Sequence, residues 1–533
     1  MLLESFPWLS LVPPIVAIVL CFATREVLPS LFIGVFLGAL ILKDLNPVFA
    51  IADTALIIRD NLADPWNATV FLFDFVVGGM VGLIYYSGGA YGFGNVLTSR
   101  IKSRRGMELA ASALGMLIFF DDYSSSVIVG NGMRPACEHA KVSRERFSYI
   151  IDSTSAPIAT IGVISVWTGY QVGVIKGVFE SMNLSISPMG VFLPGVIMYS
   201  FYSFFAITLV LFSSASRRDF GPMLNAEYRT SATGKLMNDD AVPLMNTDKL
   251  AVKKDVRERA MNMLVPIIVL VSITMIALYT LGLSASGSAS MIPFTEALNA
   301  VGDTDTGVMD ALLFGALGAV IVSIALYMSQ GFKLSELMKA FGSGAEMMIT
   351  ANLILLLAWS IGSICNMVGT GEYVVSLVTP VMQNSTWALP ILVFLVSCFI
   401  GFSTGTSWGT MAIVLPIAIP LGYSLGVPLP MAIAPVLTGG IFGDHCSPIS
   451  DTTVMASMFA GSDHLAHVRT QMPYALLGAA VTVVAYLIVS IDFNSKALWA
   501  VALVGGIVLT MALHYVLSWY DAKKKGIKLP LEK

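Results

Sequence analysis

Charge is what this sequence has least of. Only 12% of its 533 residues are Asp, Glu, Lys or Arg, about half the fraction found in ordinary soluble domains. With 56% hydrophobic residues and a mean hydropathy of +0.79, a water-soluble fold would expose apolar surface on every side. Lipid is therefore the expected solvent. Cysteine is scarce too. Cys21, Cys137, Cys365, Cys398 and Cys446 show no CxxC or other metal-ligand spacing, and buried free thiols are the expectation. Walker A and HExxH motifs are missing, which leaves ATP-driven transport and metal-dependent hydrolysis without support. No basic n-region precedes the first apolar segment, which carries Glu4 instead, so that segment is expected to stay in the mature protein. The net charge of −4 decides little, because in a membrane protein placement counts for more than the sum. Nothing points to nucleic acid.

Long apolar runs are abundant. A spanning helix needs about 20 mostly apolar residues. Spans are expected near 8–24, 27–43, 67–86, 106–120, 147–168, 187–213, 261–283, 307–328, 346–366, 387–402, 468–490 and 496–519. Two further regions, 121–136 and 403–463, are apolar but interrupted by Gly, Pro, Ser and Asp, and read as hairpins or broken helices. The fold class is an all-α polytopic membrane protein. Basic residues gather at Arg100, Lys102, Arg104 and Arg105, at Lys141, Arg144 and Arg146, in the hydrophilic stretch 216–259, and at Lys523, Lys524, Lys525 and Lys528. The positive-inside rule places all of these, and the C-terminus, in the cytoplasm. The loop 284–306 carries Glu296, Asp303 and Asp305 without a basic residue, which suits the outside. The chain divides into an N-terminal membrane half (1–215), a cytoplasmic linker (216–259) and a C-terminal membrane half (260–533).

The halves resemble each other. In the first, Asp121-Asp122-Tyr123-Ser124-Ser125-Ser126 is followed by Pro135 and later by Ser153-Thr154-Ser155-Ala156-Pro157-Ile158. In the second, Ser403-Thr404-Gly405-Thr406-Ser407-Trp408-Gly409-Thr410 is followed by Pro416 and Pro420, then by Asp444-His445-Cys446-Ser447-Pro448-Ile449. Paired interruptions at matching positions are a sequence pointer to a transporter site. They predict that the two halves are a repeat, each with a hairpin or interrupted helix.

Ionisable groups inside apolar segments are costly and are functional suspects by default. The densest run is Asp444 to Thr453. As a helix it would place Asp444, Ser447 and Asp451 on one face. Pro448 would free a carbonyl one turn earlier. Carboxylate, hydroxyl and carbonyl oxygens suit a small hard cation such as Na⁺. A helix cap would explain Asp444 alone, but not the other polar residues around it. Asp121 and Asp122 follow an apolar run. Two adjacent carboxylates in low dielectric cannot both ionise cheaply, so the pair would carry a proton or a cation unless it simply meets water at a helix end. Asp152 and Ser155 form the first-half counterpart of the Asp444 site, with an N-cap as the alternative. Asp74, Gly78 and Gly82 share one helix face, where Asp74 is read as a structural hydrogen-bonding group. His445 is either a proton carrier or a hydrogen-bonding neighbour of the site. His464 and His467 are placed at the membrane edge and discounted as metal ligands.

Phe120-Asp121-Asp122-Tyr123, Ser403 to Thr410 and Gly443 to Thr452 resemble the NhaC family of Na⁺/H⁺ antiporters, over most of the chain and both halves. The resemblance implies membership of the broad ion-transporter superfamily, with two inverted repeats and re-entrant hairpins and broken helices whose tips meet near the midplane. Relatives of this architecture are assigned to sodium/proton, malate/lactate or amino-acid transport. The lead expectation is a secondary active Na⁺/H⁺ antiporter of the cell inner membrane. Asp444, Ser447 and Asp451 would hold Na⁺ and H⁺, with His445 beside them. Thr404, Gly405, Thr406 and Ser407 would supply one tip. Ser124, Ser125 and Ser126 would supply the other, with Asp121, Asp122, Asp152 and Ser155 completing the site. No cofactor is expected beyond Na⁺ and H⁺ as transported or coupling ions. Lipid is a partner, and a homodimer and a small organic solute stay open. The rival function is Na⁺-coupled uptake of an amino acid or carboxylate, with Trp408 and Tyr123 lining its pocket. A passive channel fits less well, because the acidic residues are scattered and do not form rings.

Overall fold

The computed structural model describes residues 2–531 apart from 25, 120, 121, 164, 245–255, 289, 303, 305 and 385. The chain is an all-α polytopic membrane protein. Among the described residues seven helices are long and apolar enough to cross a bilayer: Pro65–Tyr86, Met261–Ala285, Gly307–Ser329, Thr386–Thr404, Ser407–Ser424, His464–Val489 and Lys496–Lys525. A further pair, Asn352–Met367 and Thr370–Leu377, is long and apolar enough only when taken together and is bent by 52° at its break. Gly369, at φ +73°, takes the left-handed conformation that this bend requires. The expected spans 8–24 and 27–43 form the shorter apolar helices Pro7–Cys21 and Val27–Leu42.

Four expectations need correction. The span at 106–120 is only Arg104–Leu117. The span at 147–168 is broken into Arg144–Ser153, Ala156–Ile161 and a helix that starts at Val166. Pro157 lacks an N–H, and its ring would clash with the carbonyl of Ser153, so the first piece ends there. The span at 187–213 is interrupted at Ser200, ahead of Phe201–Ser216. Of the region 121–136, read as a hairpin or interrupted helix, residues 122–136 belong to one continuous helix, Asp122–His139. The stretch read as a linker contains a helix, Gly221–Thr233, that buries Met223, Leu224 and Glu227. Residues 245–255 of that stretch lie outside the described residues.

The basic segments meet at one end of the bundle. Arg146 is buried. It reaches Asp219 at 3.1 Å and Glu108 at 3.3 Å, and it donates to Ser213 and Ser214. Arg104 pairs with Glu108 at 2.9 Å and also with Glu227. Arg229 pairs with Glu145 at 2.9 Å. Tyr474 donates to Asp219 at 2.6 Å, and the Gly221 N–H donates to Asp521 at 2.8 Å. Each of these charges, buried alone, would cost several kcal/mol, so they are stable only as a lattice. The Pro65–Tyr86 helix, about 33 Å long, separates this end from the other. Beyond its C-terminus Asn262 donates to the Ser87 carbonyl and Asn95 to Glu258. At its N-terminus Asp64 caps the helix, and Trp66 packs near Leu298 and Val301 of the acidic loop region.

The same helix packs through Gly78, Gly79 and Gly82 onto Ala340, Phe341 and Gly344 of the helix Leu334–Glu346. A Cβ on Gly344 would fall inside contact distance of the Gly78 carbonyl, whereas one on Gly342 would meet nothing within 4 Å. Overpacking of this kind costs about 1–3 kcal/mol, while removing a helical glycine gains up to about 1 kcal/mol. Gly344→Ala is therefore expected to lower the thermal midpoint of the detergent-purified protein, and Gly342→Ala to leave it level or higher. A thermal-shift comparison of the two variants checks this.

Candidate functional site

The run Asp444 to Thr453 is not one helix. Leu429–Cys446 ends at Ser447, whose backbone is extended (φ −79°, ψ 130°). A residue that precedes proline disfavours the helical region, and Pro448 makes Ser447 such a residue. A new helix, Asp451–Ala460, starts after the N-cap Ser450. Asp444, Ser447 and Asp451 therefore do not share a helix face. They flank a break.

A second break crosses this one. Leu389–Thr404 ends at Gly405, which is left-handed at φ +71°, and Thr406 caps the following helix by accepting the Gly409 N–H. Gly405 lies against the Ile449 carbonyl, where a Cβ would sit 2.5 Å from that oxygen. Ser447 donates to the Phe402 carbonyl at 2.7 Å, so its hydroxyl proton ties the two breaks together and does not point at Asp444. Gly401 and Gly443 bring the two helices into backbone contact. A Cβ on Gly443 would meet the backbone of Gly401 and Phe402, and one on Gly401 would lie 2.9 Å from the Gly440 carbonyl.

Asp444 is buried at the crossing, and Ser407 and Ser450 donate one hydroxyl to each of its carboxylate oxygens. Asp451 accepts from the Tyr123 hydroxyl at 2.7 Å and from the Thr452 N–H at 2.8 Å. Asp122 accepts from the Trp167 indole at 3.0 Å. Asp122, Asp444 and Asp451 line one cavity of 190 Å³, together with Thr406, Ser407 and several aromatic rings. A wider vestibule of 440 Å³ shares Trp66, Trp359, Thr406 and Asp451 with it and adds Asp60 and Asp64. The vestibule thus lies toward the bundle end opposite the basic lattice.

Behind the cavity sits Asp152. It accepts from Gln471 at 2.5 Å and from Thr453 at 3.4 Å, and His467 Nε2 is 3.4 Å away. Thr453 also donates to the Asp444 carbonyl at 2.9 Å. His445 joins the same cluster, with Nε2 at 3.2 Å from the Asp152 carbonyl and Nδ1 at 3.2 Å from the Tyr202 hydroxyl. Asp152 is no N-cap, since Ser143 caps its helix. Beyond this cluster a crevice of 530 Å³, lined by Glu145, Arg229, Asp463 and His464, opens at the basic end.

Not every expected residue reaches the cavity. Asp121 lies outside the described residues, and so does the side chain of Ser124. Ser125 donates weakly to the Gly115 carbonyl at 3.4 Å, beside Thr154, and Ser126 is buried. Ser155 donates to the Asp152 carbonyl at 2.9 Å, within its own turn. Thr404 likewise returns its hydroxyl to Ile400. Asp74 is fully buried, and neither oxygen has a hydrogen-bond partner among the described residues, contrary to the hydrogen-bonding role expected of it. His464 and His467 are both buried, and His464 begins the helix His464–Val489 and lines the crevice at the basic end. The residues that sequence reasoning missed are Trp66, Trp167, Trp359, Thr453 and Gln471. Only Trp66 had a local signal, in the Asp64-Pro65 helix start just before it.

The sequence profile of the Na⁺/H⁺ antiporter family matches residues 158–491, a stretch that contains Asp444, Asp451 and the Gly405 break. An uncharacterized protein of Haemophilus influenzae is 32% identical over 520 residues, 96% of each chain. The malate-2H⁺/Na⁺-lactate antiporter of Bacillus subtilis is 31% identical over 176 residues, 33% of this chain and 37% of that one. An uncharacterized Na⁺/H⁺ antiporter of Haemophilus influenzae is 34% identical over 113 residues, 20% of this chain and 24% of that one. With more than half of its length under that profile, the chain belongs to the Na⁺/H⁺ antiporter family and is a secondary transporter of the antiporter class, not an enzyme.

Proposed function

We propose that the protein exchanges Na⁺ for H⁺ across the cell inner membrane, with Asp444 and Asp451 as the shared site and the C-terminus in the cytoplasm. The observation that carries this reading is the crossing of two helix breaks at one acidic cavity, where Ser407, Ser450 and Tyr123 donate to the two carboxylates. The hydroxyl oxygens of these residues keep lone pairs free. With their protons turned away, the same five side chains present only oxygen to a small hard cation. Na⁺ needs its carboxylates deprotonated and a bound proton displaces it, so one site serves both ions in turn. Ser447 contributes by holding the two breaks together, and Asp122 faces the same cavity from the first half. The cavity opens through the vestibule on the side assigned to the exterior. On the cytoplasmic side the Asp152, His445, His467 and Gln471 cluster separates it from the second crevice. We read this as an outward-open arrangement, with the two membrane halves contributing paired interruptions to a common site.

A second reading, an organic cargo, is favoured by the aromatic lining of the cavity. The name of the Bacillus relative joins malate and lactate to Na⁺ and H⁺.

Two outcomes are expected. Asp444→Asn should insert and express normally, because neutralising an intramembrane carboxylate lowers its burial cost. Its Na⁺-dependent flux in proteoliposomes should fall to background, and normal ²²Na⁺ flux would remove Asp444 from the site. In the wild type a pH jump alone should drive ²²Na⁺ across the membrane. The uptake should fall as the pH on the Na⁺-loading side drops, since protons then occupy the same carboxylates. Flux that stays at zero until an amino or organic acid is added would overturn pure antiport.

A further inference from the structure

We propose that the acidic cavity binds a small organic ammonium ion as a cargo, at the carboxylates that serve Na⁺ and H⁺. This rests on reading the cavity as the transport site. Its size is the first observation. A volume of 190 Å³ is the share of about six liquid waters, more space than a dehydrated Na⁺ and its ligands occupy.

The lining is the second. Trp66, Trp167, Trp359 and Trp408 all face the cavity, as does Tyr123. These are four of the eight tryptophans in the chain. They are held in place by one another: Trp408 stacks on Tyr170 at 4.1 Å, lies 5.2 Å from Trp66 and meets Trp167 edge-on at 6.0 Å. Tryptophans that anchor a helix at a lipid interface point outward. Trp167 is instead buried and donates to Asp122. Indole faces attract cations through their quadrupole, and most strongly those with a weakly hydrated, alkyl-clad charge. Na⁺ gains little from them.

Charge is the third. Asp122, Asp444 and Asp451 line the cavity, and among the described residues no Lys, Arg or His lines it. In the vestibule Asp60 is paired with Arg59, and Asp64 adds a further carboxylate. An organic anion would meet like charge in the cavity. A compact ammonium ion matches carboxylates on one side and indoles on the other.

The test uses purified full-length protein, with choline as the probe and 3,3-dimethylbutan-1-ol as its uncharged isostere. Quenching of tryptophan fluorescence reads binding, and ²²Na⁺ exchange is measured on the same preparation. Choline is expected to bind at least about tenfold more tightly than the isostere, to be displaced by Na⁺, and to lose about tenfold in affinity in Trp359→Leu. Equal or absent binding of both probes by wild-type protein that exchanges Na⁺ overturns the ammonium site and leaves antiport standing. Choline binding that Na⁺ does not displace also overturns it. Selective, Na⁺-sensitive choline binding without any Na⁺/H⁺ exchange sinks the antiport reading and supports the ammonium site. Failure of both measurements removes both.

Discussion

A carboxylate cannot stand bare inside a bilayer, and the arrangement of Asp444 shows what is needed to keep one there. Removing the charge from water costs several kcal/mol unless donors replace the lost hydration. A regular helix has none to give, because its backbone N–H groups are already used. Ser407 and Ser450 supply them, and both sit at helix starts that exist only because the preceding helix stops. The breaks at Gly405 and Ser447–Pro448 are therefore the condition under which the acidic site can exist. The hydroxyl of Ser447, spent on the Phe402 carbonyl, keeps the two breaks in register.

The two ends of the bundle are built differently around this site. At one end the arginines and carboxylates form a buried lattice that ties segments distant in sequence into a single base. At the other, Asp60, which pairs with Arg59, and Asp64 stand at the rim of the vestibule that leads inward to Asp451. Between the cavity and the base lies the cluster of Asp152, with Gln471 bridging its carboxylate to the His445 carbonyl. The asymmetry is electrostatic as well as steric. On the proposed reading, a cation would enter from the acidic side and meet a wall of buried polar groups at the end of its path.

Much of this was legible in the chain, because intramembrane Asp, Ser and Pro are too costly to be incidental. The runs around Asp152, Thr404–Ser407 and Asp444 stand out on those grounds alone, and the structure joins Ser407 to Asp444 directly. The errors came from reading polar residues as a helix face where proline forbids a helix, at Pro448 and again at Pro157. Pairings across the fold were not legible. Tyr123 meets Asp451 across 328 positions of sequence, and Gln471 meets Asp152 across 319. Nothing local distinguishes such a Tyr or Gln from any other in an apolar segment. Trp66, Trp167 and Trp359 escaped notice for the opposite reason: in a membrane helix an indole looks like an interfacial anchor until the fold turns it inward. His467, discounted as a metal ligand, lies fully buried beside Asp152.

The glycines at the crossing carry one more consequence. Gly401 and Gly443 leave no layer of side chains between the helix that ends at Gly405 and the helix that bears Asp444. Helices in backbone contact have nothing to repack, so they respond to force as one stiff body. Asp444 and its two serine donors belong to that body, whereas Tyr123 and Asp122 reach it from outside. Any large rearrangement must then run along the boundary between these two sets. On the proposed reading, a cargo would keep its innermost ligands from one face of the membrane to the other. Selectivity would be written once, in the rigid block, and the moving boundary would decide only which solution the block is offered to.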